Sequence, residues 1–286
     1  MKKVYIVAEI SQNHNGDIKI AKQLIEDARL AECDAVKLNK RHLPHELTEE
    51  AWDRPYDSPN SFGPTYGAHR SFLEFNEVQH RELKKYAENR GLDYLLSVCD
   101  IPSLEFALSL KPKLIKIPSK EITNLPLLER AAEIDIPVAF SIGLANNLDI
   151  ERAMFALGNR ADDILVICTS EYPTELDNVH LNRLKAYPQW KKGFSSHTPD
   201  PALAIAAVAL GAEYIEFHIT LDREMKGSDH VVALELEELI YMVNCIRDIE
   251  IALGCDRIWE HTPSFILPVK KKLMKKRCED GIWRIH

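Results

Sequence analysis

The chain has 286 residues, 45% hydrophobic and 28% charged, which excludes disorder and low-complexity structure. Lys+Arg is 36 against 44 Asp+Glu, a formal charge of −8, so no nucleic-acid partner is expected, because one would need a basic footprint. No apolar run approaches the roughly 18 to 20 residues that cross a bilayer, so no membrane partner is expected either.

In chain order, Met1-Lys2-Lys3 leads directly into Val4–Ile10. Glu9 interrupts that apolar run, so it reads as a strand and not as a signal-peptide core. Further β-rich runs follow at Ala35–Leu38, Tyr94–Val98, Leu114–Ile117, Val138–Ile142, Ile164–Cys168, Lys192–Ser195 and Tyr214–Ile219. Stretches with helical apolar spacing separate them, at 17–31, 76–90, 101–110, 125–134, 147–157, 179–186, 200–210 and 235–253. Pro102 and Pro126 fall at first-turn positions, and Gly91 and Gly211 fall where helices end before a strand. Eight strands alternating with eight helices predict an α/β fold, a single (β/α)8 TIM barrel over residues 1–260; a doubly wound open sheet is the alternative. Residues 40–75 form one long aromatic-rich loop, expected to order over the barrel mouth as a lid. Residues 261–286 form a C-terminal basic tail containing Lys270-Lys271-Lys272 and Lys275-Lys276-Arg277, which reads as a solvated face. The six cysteines, at 33, 99, 168, 245, 255 and 278, include no C-x-x-C pair, so reduced thiols and a cytoplasmic setting are expected.

Active sites of such barrels lie at the C-terminal ends of the strands. Lys37 and Lys116 should both point inward there. Two buried ammonium groups call either for a bound anion or for pairing with neighbouring carboxylates such as Glu9 or Glu216. Ser119, Ser141, Ser170 and Ser195 come from four strand ends, and small hydroxyls with backbone N–H groups suit a phosphate or carboxylate. His197 and His218 end consecutive strands about 4.8 Å apart, close enough for two imidazoles to share one divalent ion. An anionic small molecule, a divalent metal and a second polar substrate are therefore expected together.

The same segments resemble the catalytic barrel of the sialic acid synthase family, which includes the N-acetylneuraminate synthases and their legionaminate and pseudaminate relatives. The resemblance is carried by Ala8-Glu9-Ile10 with Asn13-His14-Asn15-Gly16, by Lys116-Ile117-Pro118-Ser119-Lys120-Glu121 and by Cys168-Thr169-Ser170-Glu171-Tyr172-Pro173-Thr174. Ser195-Ser196-His197-Thr198, Glu216-Phe217-His218 and Gly227-Ser228-Asp229-His230 complete it, over residues 4 to 255. It implies condensation of phosphoenolpyruvate with an aldose and release of phosphate. By position, Lys37, Asn39, Ser119, Ser141, Ser170, Tyr172 and Ser195 would bind substrate, and Lys116 with them would hold phosphoenolpyruvate. His197 and His218 would bind Mn2+ or Mg2+, and Glu9, Glu121 and Asp229 would handle sugar hydroxyls and protons. Family patterns change locally: Lys37-Leu38-Asn39-Lys40 replaces a Lys-Phe-Gln-Thr type, and Pro118-Ser119-Lys120-Glu121 adds a cation. The family's C-terminal antifreeze-like domain has no counterpart before His286, so a homo-oligomer or a separate antifreeze-like-domain protein is an expected partner. Arg41, Arg54 and Arg70 of the long loop are expected to help close the site. The rival readings are a 2-keto acid aldolase using Lys116 or Lys120 as a Schiff-base amine, and a non-catalytic sugar-acid-binding barrel.

Overall fold

The computed structural model describes residues 3–254, together with residues 264–266, 268, 276–277 and 283–284. Within residues 2–253, eight parallel strands close into one barrel in sequence order. They are β1 (Tyr5–Ser11), β2 (Ala35–Lys40), β3 (Asp93–Val98), β4 (Ile115–Ile117), β5 (Val138–Ser141), β6 (Ile164–Ile167), β7 (Lys191–Ser196) and β8 (Tyr214–His218). β8 pairs back onto β1, so the closed (β/α)8 barrel is the fold and the open-sheet alternative is excluded.

Between the strands run α1 (Ile18–Leu30), α2 (Leu43–Glu46), α3 (Glu49–Asp53), α4 (Tyr66–Leu73), α5 (Glu77–Glu88), α6 (Ile101–Ser109), α7 (Leu125–Ala132), α8 (Asn147–Ala156), α9 (Pro201–Ala209) and α10 (Leu236–Leu253). Their starts are chemically marked. Asp17, Asp100, Asn124, Asn146 and Asp200 each cap the helix that follows with a side-chain oxygen, and Pro102, Pro126 and Pro201 occupy first-turn positions where no N–H is needed. One expected helix is corrected. Residues 179–186 form only a 3-10 turn, Leu181–Lys185, because His180 enters it in the left-handed region (φ 51°) and Pro188 stops continuation.

The strands' period of two sorts the barrel interior into layers. Val7, Ala35, Leu95, Leu114, Ala139, Val166 and Tyr214 fill an apolar inner layer. Two residues further along the same strands come Glu9, Lys37, Ser97, Lys116, Ser141, Cys168 and Glu216. The outward-facing strand residues, Ile6, Leu96, Phe140 and Phe217 among them, form the larger core with helix residues such as Leu24 and Met242. Apolar packing therefore stops one layer below the strands' C-terminal ends, and polar side chains begin there.

The segment 40–75 is ordered by α2, α3 and α4. Tyr56, Phe62 and Tyr66 gather around His69, at ring-centroid distances of 4.6, 5.9 and 6.4 Å. A Cβ at Gly67 would lie 2.4 Å from the Trp52 ring, so only glycine lets α4 pack there. Phe62 also lies beneath Lys226, and Asn60 accepts a hydrogen bond from the Gly227 N–H, which ties this segment to the loop after β8.

Residues 254–286 group separately. Their described part pairs β9 (Lys276–Arg277) antiparallel with β10 (Trp283–Arg284). Lys270, Lys271, Lys272, Lys275, Cys255 and Cys278 lie outside the described residues. Cys33, Cys99, Cys168 and Cys245 are free thiols.

Candidate active site

At the C-terminal ends of the strands lies a cavity of about 420 Å3. Every residue put forward from the sequence as catalytic, substrate-binding or metal-binding lines it except Glu121. Glu121 stands behind the wall, where it accepts a hydrogen bond from Asn124 and contacts Lys120 at 3.2 Å.

The floor is a buried charge cluster. Glu9 and Lys37 are register partners on β1 and β2 and form an ion pair; Lys37 also lies 3.6 Å from Glu216 and donates to Ser97 Oγ at 2.7 Å. Lys37 is thus met by carboxylates of the barrel, whereas the hydrogen bonds of Lys116 Nζ go to Ser141 Oγ and the Ile117 carbonyl. Glu216 accepts hydrogen bonds from Ser195 Oγ at 2.9 Å and Tyr214 Oη at 2.5 Å. Burial would raise its pKa, but Lys116 and Lys37 overcome this and hold the carboxyl below the usual range. Glu9 goes the other way: burial outweighs the attraction of Lys37, with the Glu216 charge adding to it, and its carboxyl is pushed up. Burial also lowers Lys116, whose Nζ donates to Ser141 Oγ at 2.6 Å.

The β4–β6 side forms a cradle. The Gly143 N–H donates to Ser119 Oγ at 3.2 Å, and Ser119 Oγ lies 3.0 Å from Cys168 Sγ. A Cβ at Gly143 would meet Cys168 Sγ and Ser170 Oγ at 2.7 Å and Ser119 Oγ at 3.0 Å, so the hydroxyls converge on a space that a glycine leaves open. A backbone N–H, two hydroxyls and a nearby ammonium suit a phosphate or carboxylate.

The β7–β8 side carries the histidines. Their ring centroids are 5.5 Å apart. His197 Nδ1 faces the Thr169 carbonyl oxygen at 2.5 Å, which leaves Nε2 as the lone-pair nitrogen, 2.8 Å from Tyr172 Oη. His218 Nδ1 is buried without a hydrogen-bond partner and lies 3.9 Å from Asp229 Oδ2. Burial, with the His218 ring beside it, lowers His197 to about 4, and burial lowers His218 too. Both rings are thus neutral near pH 7, the form that ligates metals. An orphaned imidazole nitrogen, a second lone-pair nitrogen and a carboxylate fit a divalent ion, with Tyr172 Oη giving way. Among the described residues, Glu46, Cys99 and Glu121 also bring potential ligand atoms within 4.8 Å of one another. There, however, Lys120 contacts both carboxylates and Arg41 pairs with Glu46 at 2.9 Å, so cations already balance the group.

Asp229 is aimed by backbone pairing. Leu234 N donates to His218 O and Thr220 N to Leu234 O, which folds the loop after β8 back over the barrel. Ser11 Oγ and Gln12 Nε2 then donate to Asp229 at 2.9 and 3.0 Å, and Asn39 Nδ2 donates to Ser11 at 2.9 Å. Ser11 reaches this place because the β1–β2 register shifts between Glu9 and Ser11, with Ser11 in the left-handed region at φ 48°. Gln12, Ser97, Glu216 and Ser228 also line the cavity. Their common signal was a position one or two layers along a strand, or on the loop just past it. Of the three loop arginines, Arg41 and Arg70 line the cavity; Arg54 instead covers the Tyr66 ring.

Comparison with known proteins shows what this chain is similar to. A family profile described as the NeuB family matches residues 24–257. N-acetylneuraminate-9-phosphate synthase of Homo sapiens is 38% identical over 256 residues, which cover 87% of this chain and 71% of that protein. N,N'-diacetyllegionaminic acid synthase of Campylobacter jejuni is 36% identical over 262 residues, covering 89% of this chain and 78% of that protein. Among solved structures, the N-acetylneuraminic acid synthetase of Leptospira borgpetersenii in complex with citrate superposes with a TM-score of 0.80 at 27% identity, over 95% of this chain and 91% of that one.

Proposed function

The chain belongs to the NeuB family, and we propose that it condenses phosphoenolpyruvate with an aldose to give a 2-keto-3-deoxy sugar acid and phosphate. The observation that carries this reading is the adjacency, in one cavity, of a serine–glycine anion cradle and a neutral histidine pair with an orphaned nitrogen.

Ser119, Ser170, the Gly143 N–H and Lys116 hold the phosphate of phosphoenolpyruvate, while Ser141, Ser195 and Lys37 lie beneath its carboxylate. His197 and His218 would hold a divalent ion, Mn2+ or Mg2+, which would supply Lewis-acid polarisation of the acceptor aldehyde. Asp229, whose carboxyl is held below its usual range against the effect of burial by hydrogen bonds from Ser228, Ser11 and Gln12, accepts from an acceptor hydroxyl, with Asn39 and Tyr172 beside it. A carbon–carbon bond forms between C3 of phosphoenolpyruvate and the aldehyde carbon, whose oxygen takes a proton. Water adds at C2, the C2–O bond to phosphate breaks, and the keto acid remains. Glu9 is the group suited to exchange those protons, because burial raises its pKa toward the working pH. Glu121 acts from outside the cavity by orienting Lys120.

Phosphate release from phosphoenolpyruvate with Mn2+, across a panel of aldoses, tests the reading. Release should depend on the sugar and vanish on chelation and in His218→Ala. If phosphoenolpyruvate does not bind, the reading falls. The lowered Lys116 favours one rival, a Schiff-base lyase. Borohydride trapping of pyruvate on Lys116 would establish that rival instead.

A further inference from the structure

Asp229 is the carboxylate that meets the acceptor in the reading above, and both of its oxygens are engaged from the end of β1. Ser11 Oγ donates to Oδ2 at 2.9 Å, and Gln12 Nε2 donates to Oδ1 at 3.0 Å. Each of these donors is itself oriented from behind. Ser11 Oγ accepts from Asn39 Nδ2 at 2.9 Å, which leaves its hydrogen for Asp229. Gln12 Oε1 accepts from Arg70 Nη1 at 2.7 Å. A guanidinium can only donate and a carboxylate can only accept, so a glutamine amide between them has one orientation that satisfies both: oxygen toward Arg70, NH2 toward Asp229. The second amide hydrogen goes to Ser228 Oγ at 2.7 Å, and Ser228 Oγ donates in turn to Asp229 Oδ1 at 2.7 Å. Among the described residues Arg70 forms no salt bridge, and the Tyr66 ring, 4.9 Å away, carries its guanidinium instead. Both residues belong to α4, which Thr65 caps and which Gly67 lets pack on Trp52, so the place of Arg70 is set by the folding of the 40–75 segment.

We propose that Arg70 is a positioning residue of the acceptor site: it fixes the amide of Gln12, and Gln12 in turn aims Asp229 at the acceptor. The proposal rests on the synthase reading above and adds to it the residues that set the acceptor's carboxylate. The 40–75 segment then shapes sugar binding through a relay of hydrogen bonds, and Arg70 needs no contact with the sugar. The relay is confined to the acceptor half of the cavity. The contacts of the anion cradle run among Ser119, Gly143, Cys168, Lys116 and Ser141, and none of them involves Arg70, Gln12, Ser228 or Asp229. Loss of the relay should therefore be felt by the aldose and not by phosphoenolpyruvate.

The test uses the full chain and phosphate release from phosphoenolpyruvate with Mn2+. The acceptor is whichever of mannose, N-acetylmannosamine and N-acetylmannosamine 6-phosphate gives the fastest release. Wild type, Arg70→Met, Arg70→Lys, Gln12→Ala and the Arg70→Met, Gln12→Ala double variant are compared, each checked for folding by its Tm. Arg70→Met and Gln12→Ala should each lower kcat/KM for the aldose by about tenfold, the scale of one charge-assisted hydrogen bond, with the KM for phosphoenolpyruvate within about twofold of wild type. The double variant should also lose about tenfold and not about a hundredfold, because Arg70 has nothing to orient once Gln12 is gone. Arg70→Lys keeps a donor and should recover part of the loss. Losses that multiply in the double variant would give Arg70 a contact of its own with substrate and overturn the relay. An aldose kcat/KM unchanged in Arg70→Met, or an equal rise in the KM for phosphoenolpyruvate, would overturn it too. In each of these cases the synthase reading stands. Absence of phosphate release with every sugar, from a folded wild type, overturns the synthase reading and the relay together.

Discussion

Replacing Lys37 by methionine is the sharpest probe of the buried floor. Lys37 is 3% exposed and is the cation shared by Glu9 and Glu216. Removing one partner of a buried pair costs about 3 to 5 kcal/mol, because the remaining charge is left unpaired. The low end, about 3 kcal/mol, is expected here, since Glu9 takes up a proton instead of remaining charged. For a chain of this size that corresponds to a fall of roughly 6 to 12 °C in Tm. The pH dependence follows from the raised pKa of Glu9. A carboxyl whose folded pKa exceeds its unfolded value of about 4.3 binds more protons when folded, so stability falls as pH rises through that window. Without Lys37 the folded value climbs further. The penalty should therefore be larger at pH 8 than at pH 6. Urea unfolding of wild type, Lys37→Met, Glu9→Gln and the double variant at both pH values measures it, and the double variant should recover a substantial part of the loss. A penalty below about 1 kcal/mol, or one independent of pH, would refute the claim that the barrel itself neutralises Lys37.

Two further outcomes are expected. Gly143→Ala places a methyl group 2.7 Å from Cys168 Sγ and Ser170 Oγ; overpacking of about 1 to 3 kcal/mol should raise the KM for phosphoenolpyruvate by about tenfold or more in steady-state assays. His14 and His80 are buried and lowered to about 3, so the unfolded chain binds their protons first as pH falls below about 6.5; stability should drop by about 1.4 kcal/mol per pH unit for each, and urea titrations between pH 6.5 and 4 should show a shallower slope in His80→Gln.

The barrel was legible in the sequence because its determinants are local. Apolar runs a strand long, helical spacing between them, and Asp, Asn and Pro at helix starts all act within a few residues. Strand-end chemistry was legible for a related reason: once the strands are placed, period-two alternation puts Lys37 two residues beyond Ala35 and Lys116 two beyond Leu114, above the apolar layer. The pairing of those side chains was not legible. Lys37 could have awaited a ligand; it meets Glu9 and Glu216 because ring closure sets β8 beside β1 and β1 beside β2. Glu121 sits in a motif beside Ser119, yet the 3-10 turn Ser119–Glu121 rotates it out of the cavity. Arg70 is 58 residues from Gln12 in the chain, and only the packing of Trp52 on Gly67 and of Tyr56, Phe62 and Tyr66 around His69 carries it to the mouth. Residue type and alternation are properties of short segments and can be read along the chain, whereas the partner of a buried charge and the direction of a loop side chain depend on contacts between segments far apart in sequence, which exist only when the barrel has closed.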